Sequence, residues 1–293
     1  MWRTMSFPTT VRAVLRTTRP RQWIKNVLVL AAPLAAGVLT EPDVLVRVLA
    51  AAGLMILASA SIYLFNDVVD AEADRNHPVK RLRPVASGEL PGPWAVAIGV
   101  VLAVLAVVGA LAMTTDLAIT IAVYLAMQVS YVLGLKHEPV LDLAVVSSGF
   151  LLRAVAGGVA AGVPLSQWFL IVAAFGSLYM VAGKRFSELH TLGPAAMTRR
   201  SLSMYSESYL RFVWGTAAGI TITAYSLWAF EMAPASGVPW QAISIFPFVI
   251  AMLRYGSDID RGVAGEPEDV VLRDPILVGI AVIWLLTFAM GLT

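Results

Sequence analysis

The run Asn66-Asp67-Val68-Val69-Asp70-Ala71-Glu72-Ala73-Asp74 places three aspartates at i, i+3 and i+7 where a strongly apolar segment ends. Helical spacing puts Asp67, Asp70 and Asp74 on one face. Such a row of hard oxygen donors suits Mg2+ bridging a diphosphate. A lone aspartate here would read as a solvated helix end. Three of them, followed at once by Lys80, Arg81 and Arg83, bring metal ligands and phosphate-binding cations into one short loop. Tyr63, one turn before Asn66 and Asp67, either reaches the same ligand or is an interfacial aromatic.

A second cationic group follows further along, Lys184-Arg185-Phe186-Ser187-Glu188. If the helices form a ring, it faces the aspartate row, and a substrate with two separate phosphate groups would meet carboxylate-held metal on one side and Lys and Arg on the other. Anchoring at a cytoplasmic membrane surface explains Arg199 and Arg200 well, and Glu188 poorly. Tyr131…Lys136 and Tyr179…Lys184 repeat one Tyr-x-x-x-x-Lys spacing at the ends of two alternate segments. This is either chance plus the interface preference of Tyr and Lys, or equivalent helices delivering a phenol and an ammonium to one cavity mouth. Within Arg19-Pro20-Arg21-Gln22-Trp23-Ile24-Lys25-Asn26, Lys25 and Asn26 lie one turn inside the membrane; Lys25 either snorkels outward or points toward phosphate. Asp142 and Arg153 fall where hydrocarbon should be. Charges there cost several kcal/mol unless paired or facing water, so both are expected to be structural or cavity-lining.

The elements that position these groups are membrane helices. The chain has 293 residues, 58% hydrophobic and only 14% charged, with mean hydropathy +0.77, which excludes an ordinary soluble domain. It has no cysteine, so disulfides, thiolate metal sites and cysteine nucleophiles are excluded. About nine segments reach the roughly 17–25 apolar residues a crossing needs: 22–39, 46–66, 93–113, 117–135, 139–162, 165–183, 208–230, 239–256 and 275–292. The expected fold is therefore an all-α polytopic membrane protein, a single domain over 1–293, its helices surrounding a cavity.

Of the 21 basic residues, all but Arg47 and Arg153 fall on one side of this arrangement. The positive-inside rule then puts the N-terminus and the cavity mouth in the cytoplasm. The basic N-terminal arm, broken by Pro8 and Pro20, reads as lying along an anionic membrane surface rather than as a cleavable signal. Loops 67–92, 184–207 and 257–274 are longer than connectors need to be and are expected to cap the site.

Three stretches carry a family resemblance: Arg19 to Asn26, Asn66 to Pro84, and Gly183-Lys-Arg-Phe-Ser-Glu-Leu-His190, with Gly265-Glu-Pro-Glu-Asp269 beside them. Together with the span count they resemble the UbiA-type intramembrane prenyltransferase superfamily, and within it the decaprenyl-phosphate phosphoribosyltransferase branch of actinobacterial cell-wall arabinan (arabinogalactan) synthesis. The second aspartate-rich motif of the superfamily is missing, with Lys184-Arg185-x-x-Glu188 in its place, which favours phosphoribosyl diphosphate over a prenyl diphosphate as donor.

The resemblance implies a Mg2+-dependent transfer of phosphoribose to a polyprenyl phosphate in the cell (inner) membrane. Asp67 and Asp70, with Asn66 and Asp74, would hold Mg2+ on the diphosphate. Lys25, Asn26, Tyr63, Lys80 and Arg83 would assist there; Tyr131, Lys136, Lys184, Arg185 and Glu188 would serve the 5-phosphate or the lipid phosphate. No nucleic-acid partner is expected, and Trp and small residues on outer spans permit a homo-oligomer. A prenyltransferase with an aromatic acceptor would need the missing second cluster. A secondary transporter would need broken helices near midmembrane, for which Arg153, Gly157 and Gly158 offer slight support.

Overall fold

The computed structural model describes residues 7–192, 202–232, 237–265, 270 and 273–292. Among them every regular element is helical: α1 (Phe7–Thr17), a 3-10 run (Pro20–Leu30), α2 (Ala31–Ala35), α3 (Pro42–Val69), α4 (Ala71–Arg75), α5 (Gly92–Met113), α6 (Thr115–Leu133), α7 (Leu141–Ala161), α8 (Gln167–Leu192), α9 (Glu207–Glu231), α10 (Trp240–Asp260) and α11 (Pro275–Met290), with short 3-10 turns at Lys80–Leu82 and Leu135–His137. Their starts are written in the sequence. Pro42 opens α3 with no helical donor to lose; Thr114, Ser206 and Asp274 accept backbone N–H groups at the starts of α6, α9 and α11.

Among the described residues six helices are long and apolar enough to cross a membrane: α3, α5, α6, α7, α8 and α10. Three expected segments differ. Segment 275–292 forms a helix of 16 residues, shorter than a full crossing. Segment 208–230 is a 25-residue helix but is not among the six. Segment 22–39 is a 3-10 run leading into α2. Pro33 supplies no N–H for the Val29 carbonyl, and Gly157 packs against that carbonyl so closely that an added Cβ would lie 1.7 Å from the oxygen.

A further boundary moves. The segment expected to leave the membrane at 183 continues as α8 to Leu192, so 184–192 is helix rather than loop. Ala182, Phe186 and Leu189, at i, i+4 and i+7, keep a buried face beyond the point where hydropathy falls. Likewise, α7 runs unbroken through Gly157 and Gly158.

The chain divides into two compact units: residues 1–135 with 152–164, and residues 136–151 with 165–293. In the first, Val48, Ala51, Met55, Ala58 and Ile62 form one buried stripe of α3 packed with Ala106 and Ala110 of α5 and Ile121 of α6. Small residues let the helix backbones approach where lipid offers no hydrophobic drive. In the second, Tyr179 and Phe186 of α8, Leu210 of α9 and Ile259 of α10 form the centre.

Candidate functional site

In the first unit the aspartate row sits on a helix break that keeps its register. α3 stops at Val69 and α4 starts at Ala71, yet the Asp70 N–H donates to the Asn66 carbonyl at 2.9 Å and the Asp74 N–H to the Asp70 carbonyl at 2.8 Å. Asp67 and Asp74 are buried, at 2% and 3% exposure, while Asp70 is half-buried. Buried carboxylates require partners, and arginines supply them. Arg83 Nη1 lies 2.6 Å from Asp74 Oδ2 and 3.5 Å from Asp67 Oδ1, and Arg19 donates to Asp67 Oδ1. The Arg19 guanidinium also lies over the Tyr63 ring, 5.1 Å from its centroid.

Arg19 reaches this position from a left-handed backbone (φ 53) immediately before Pro20. Few non-glycine residues adopt that conformation, and those that do cluster at functional sites. The loop after α4 is fastened by its own polar groups: Arg16 to Glu89 at 2.8 Å and to the Leu82 carbonyl at 3.1 Å, Arg75 to the Ala86 carbonyl at 3.3 Å, and His77 Nδ1 accepting the N–H groups of Val79 and Lys80. Arg83 is thus held beside the carboxylates, with Lys80 in the 3-10 turn just before it.

Deeper in the same unit, Arg153 is buried and donates from Nε to Asn26 Oδ1 at 2.9 Å, and from Nη2 to Ser59 Oγ at 3.2 Å and Tyr124 Oη at 2.9 Å. It also stacks over the Tyr124 ring at 5.0 Å. The intramembrane arginine is therefore satisfied by neutral groups from three other segments. Asn26, expected to face substrate, is 2% exposed with its oxygen turned to Arg153. Its neighbour Lys25 is half-buried.

The second unit carries a separate polar cluster. Arg185 Nε lies 3.4 Å from Asp142 Oδ2, and its Nη1 lies 3.3 Å from Glu188 Oε2; Lys184 Nζ is 3.9 Å from Glu188 Oε1. Tyr205 donates its hydroxyl proton to Asp142 Oδ1 and accepts the Val140 N–H at 2.7 Å. Burial, and then the hydrogen bond to Asp142, push the Tyr205 phenol well above its ordinary pKa, so it stays a donor.

The two Tyr-Lys pairs are not equivalent. Tyr179 is buried, its hydroxyl donating to the Met252 carbonyl at 2.7 Å, and Lys184 lies within α8, whereas Gly134 ends α6 and leaves Lys136 in a 3-10 turn beyond it. Only the Tyr131–Lys136 pair retains a phenol that is half-buried. An apolar cavity of about 370 Å3 also lies in this unit, lined by residues including Leu143, Ser147, Phe175, Leu178, Tyr209 and Val213.

The structure thus gathers Tyr63, Asn66, Asp67, Asp70, Asp74, Lys80 and Arg83 on one end of α3 and its loop, and Lys184, Arg185 and Glu188 on one turn of α8. Sequence reasoning missed Arg19 as a partner of Asp67, and Ser59, Tyr124 and Tyr205 altogether. A basic residue ahead of a proline at the mouth of an apolar segment was the available signal for Arg19; nothing in the spacing marks the other three. Glu266, Glu268 and Asp269, like Arg199 and Arg200, lie outside the described residues.

Among the described residues no three His, Asp or Glu side chains already form a metal cage. The donors nevertheless fit a hard divalent cation: they are oxygens, and two of the carboxylates already converge on one positive group, the Arg83 guanidinium.

Long apolar helices with a buried carboxylate–arginine cluster at one helix end define the class, a multi-pass membrane protein. The chain belongs to the UbiA prenyltransferase family, which it matches over residues 26–261. It is 52% identical over 282 residues to a decaprenyl-phosphate phosphoribosyltransferase of Mycobacterium tuberculosis, covering 94% of this chain and 93% of that one. A decaprenyl-phosphate phosphoribosyltransferase of Mycolicibacterium smegmatis is 49% identical over 288 residues, covering 94% and 91%. The fold is similar to a UbiA homolog from Archaeoglobus fulgidus solved with GPP and Mg2+, with TM-score 0.71, 16% identity and coverage of 95% and 98%.

Proposed function

We propose that the protein transfers the phosphoribosyl group of 5-phosphoribosyl 1-diphosphate to decaprenyl (polyprenyl) phosphate, releasing diphosphate, as a step toward cell-wall arabinan precursors. The observation that carries this reading is the pairing of unlike anion sites. One end of α3 holds buried carboxylates gathered round a cation, while the turn of α8 where a second carboxylate pair would serve a prenyl donor holds Lys184 and Arg185. A donor with a diphosphate at C1 and a separate phosphate at C5 asks for both.

The acceptor phosphate oxygen is already anionic, so no general base is required. It attacks C1 as the C1–O bond to diphosphate breaks, from the opposite face, and inverts the anomeric centre. Asn66, Asp67, Asp70 and Asp74 would hold Mg2+, which when bound neutralises charge developing on the leaving diphosphate. Arg83 and Lys80 add positive charge at the same place, with Lys25 and Tyr63 donating hydrogen bonds. Lys136, Lys184 and Arg185 take the remaining phosphate groups, with Tyr131 and Glu188 beside them. Positioning and fixed electrostatics carry the catalysis. The apolar cavity between Leu143 and Val213 suits a stretch of isoprenoid chain.

In this reading the chain has nine membrane segments and lies in the cell membrane. The N-terminus and the site lie on the cytoplasmic side, where the basic residues collect, and the loop after α3, the α8 extension and the segment after α10 cap the site. Purified protein given labelled phosphoribosyl diphosphate, Mg2+ and decaprenyl phosphate is expected to yield a lipid-linked phosphoribose plus diphosphate. Absence of product, with the M. tuberculosis relative active alongside, rejects the assignment.

A further inference from the structure

We propose that Tyr205 is a positioning residue for phosphate-monoester recognition, acting through Asp142 on the Arg185 guanidinium. The inference rests on the reading above that Arg185 touches a substrate phosphate. Its basis is a relay of four groups contributed by α7 and the residue just before it, by α8 and by the segment before α9. The Val140 N–H donates to Tyr205 Oη at 2.7 Å, the Tyr205 O–H donates to Asp142 Oδ1, and Asp142 Oδ2 faces Arg185 Nε at 3.4 Å.

Each link restricts the next. Asp142 is completely buried, so its carboxylate must be oriented by fixed partners rather than by water. Asp142 Oδ2 faces Arg185 Nε as an ion pair without a hydrogen bond, and Glu188 accepts from Nη1 at 3.3 Å, while 18% of the arginine side chain stays exposed. Two carboxylates at fixed places set the plane of the guanidinium, and a guanidinium of fixed plane recognises phosphate oxygens directionally.

The backbone supports the same reading. Val140 has φ 68, a left-handed conformation that is a genuine outlier for a β-branched residue. It aims the Val140 N–H at Tyr205, and such strain persists only where the surroundings over-determine it. The Tyr205 ring is itself fixed, stacked on Tyr209 at 5.9 Å with an interplanar angle of 7°.

Tyr205→Phe removes the hydroxyl and keeps the stacked ring. Two phosphate monoesters are available, the donor 5-phosphate and the lipid phosphate, so KM is measured for both substrates. The expected result is an increase of about tenfold in one KM, with kcat within about twofold. In an Arg185→Ala background the same change should add nothing, because the phenol acts only through the guanidinium.

Unchanged KM values for both substrates in Tyr205→Phe, with one raised in Arg185→Ala, overturn the inference and leave the role of Arg185 standing. Unchanged values in Arg185→Ala overturn both. An equal KM increase with and without Arg185 overturns the relay, since a merely structural defect behaves that way. Should Tyr205→Phe fail to fold, Asp142→Asn is held to the same KM outcomes.

Discussion

Arg153 Nε lies 2.9 Å from Asn26 Oδ1, joining residues 127 positions apart. A guanidinium in the middle of α7 therefore holds the 3-10 segment that carries Lys25. Arg153→Met removes the charge and the shared donor of Asn26, Ser59 and Tyr124, leaving them in a buried place with only their bonds to one another and to nearby carbonyls. The expected loss is about 2–4 kcal/mol, seen as a lowered melting temperature of the detergent-purified protein. An unchanged Tm would show that these groups find other partners.

Asp67 and Asp70 should separate structural from chemical loss. Asp67 holds both Arg19 and Arg83, so Asp67→Ala is expected to lower Tm and turnover together. Asp70, half-buried at the helix junction, joins the helices through its backbone groups. Asp70→Ala should leave the protein folded while cutting turnover on the order of 100-fold or more. Thermal scanning beside a product assay reads both.

Close helix contact makes a steric prediction. A Cβ at Gly157 would sit 1.7 Å from the Val29 carbonyl oxygen, whereas one at Gly53 meets nothing within 4 Å. Gly157→Ala is expected to destabilise by about 1–3 kcal/mol or more. Gly53→Ala, in the same unit, should be neutral or stabilise by up to about 1 kcal/mol, because alanine loses less entropy in a helix. Equal Tm values for the two variants would refute this account of the contact.

Asp274 gives a pH test with a defined sign. Its hydrogen bond from Arg254, 2.7 Å away, holds the carboxyl below the usual 3.8, helped by the Ile276 and Leu277 N–H groups it caps. A depressed carboxyl contributes stability in full above the unfolded value and loses it as pH falls through the folded value. Asp274→Asn should therefore melt below the parent protein near pH 7, and the gap should close as pH falls below about 3.8. A gap independent of pH would assign the effect to geometry alone.

The pattern of the chain was legible where charged groups are neighbours in sequence. The aspartate row, the cations at Lys80 and Arg83 and the Lys184–Arg185 turn all lie within single segments, so spacing alone revealed them. Partners contributed from afar were not legible. Arg153 was recognisable as an intramembrane charge, but Asn26, Ser59 and Tyr124 come from three other segments, and no periodicity links them. The bond from Arg153 to Asn26 was illegible for the same reason, since a position one turn inside the membrane says nothing of an arginine in α7. The α8 boundary was missed because falling hydropathy marks where lipid ends, while Phe186 and Leu189 carry the helix onward by packing against protein.

Val140 has one last consequence. Glycine would accept φ 68 without crowding, but its unfolded chain would sample far more conformations, and folding would have to suppress them all. A branched side chain at that elbow narrows what the peptide can visit in either state. The amide beneath the buried carboxylate is thus set by a stiff joint, whose aim survives thermal jostling better than a supple one would allow.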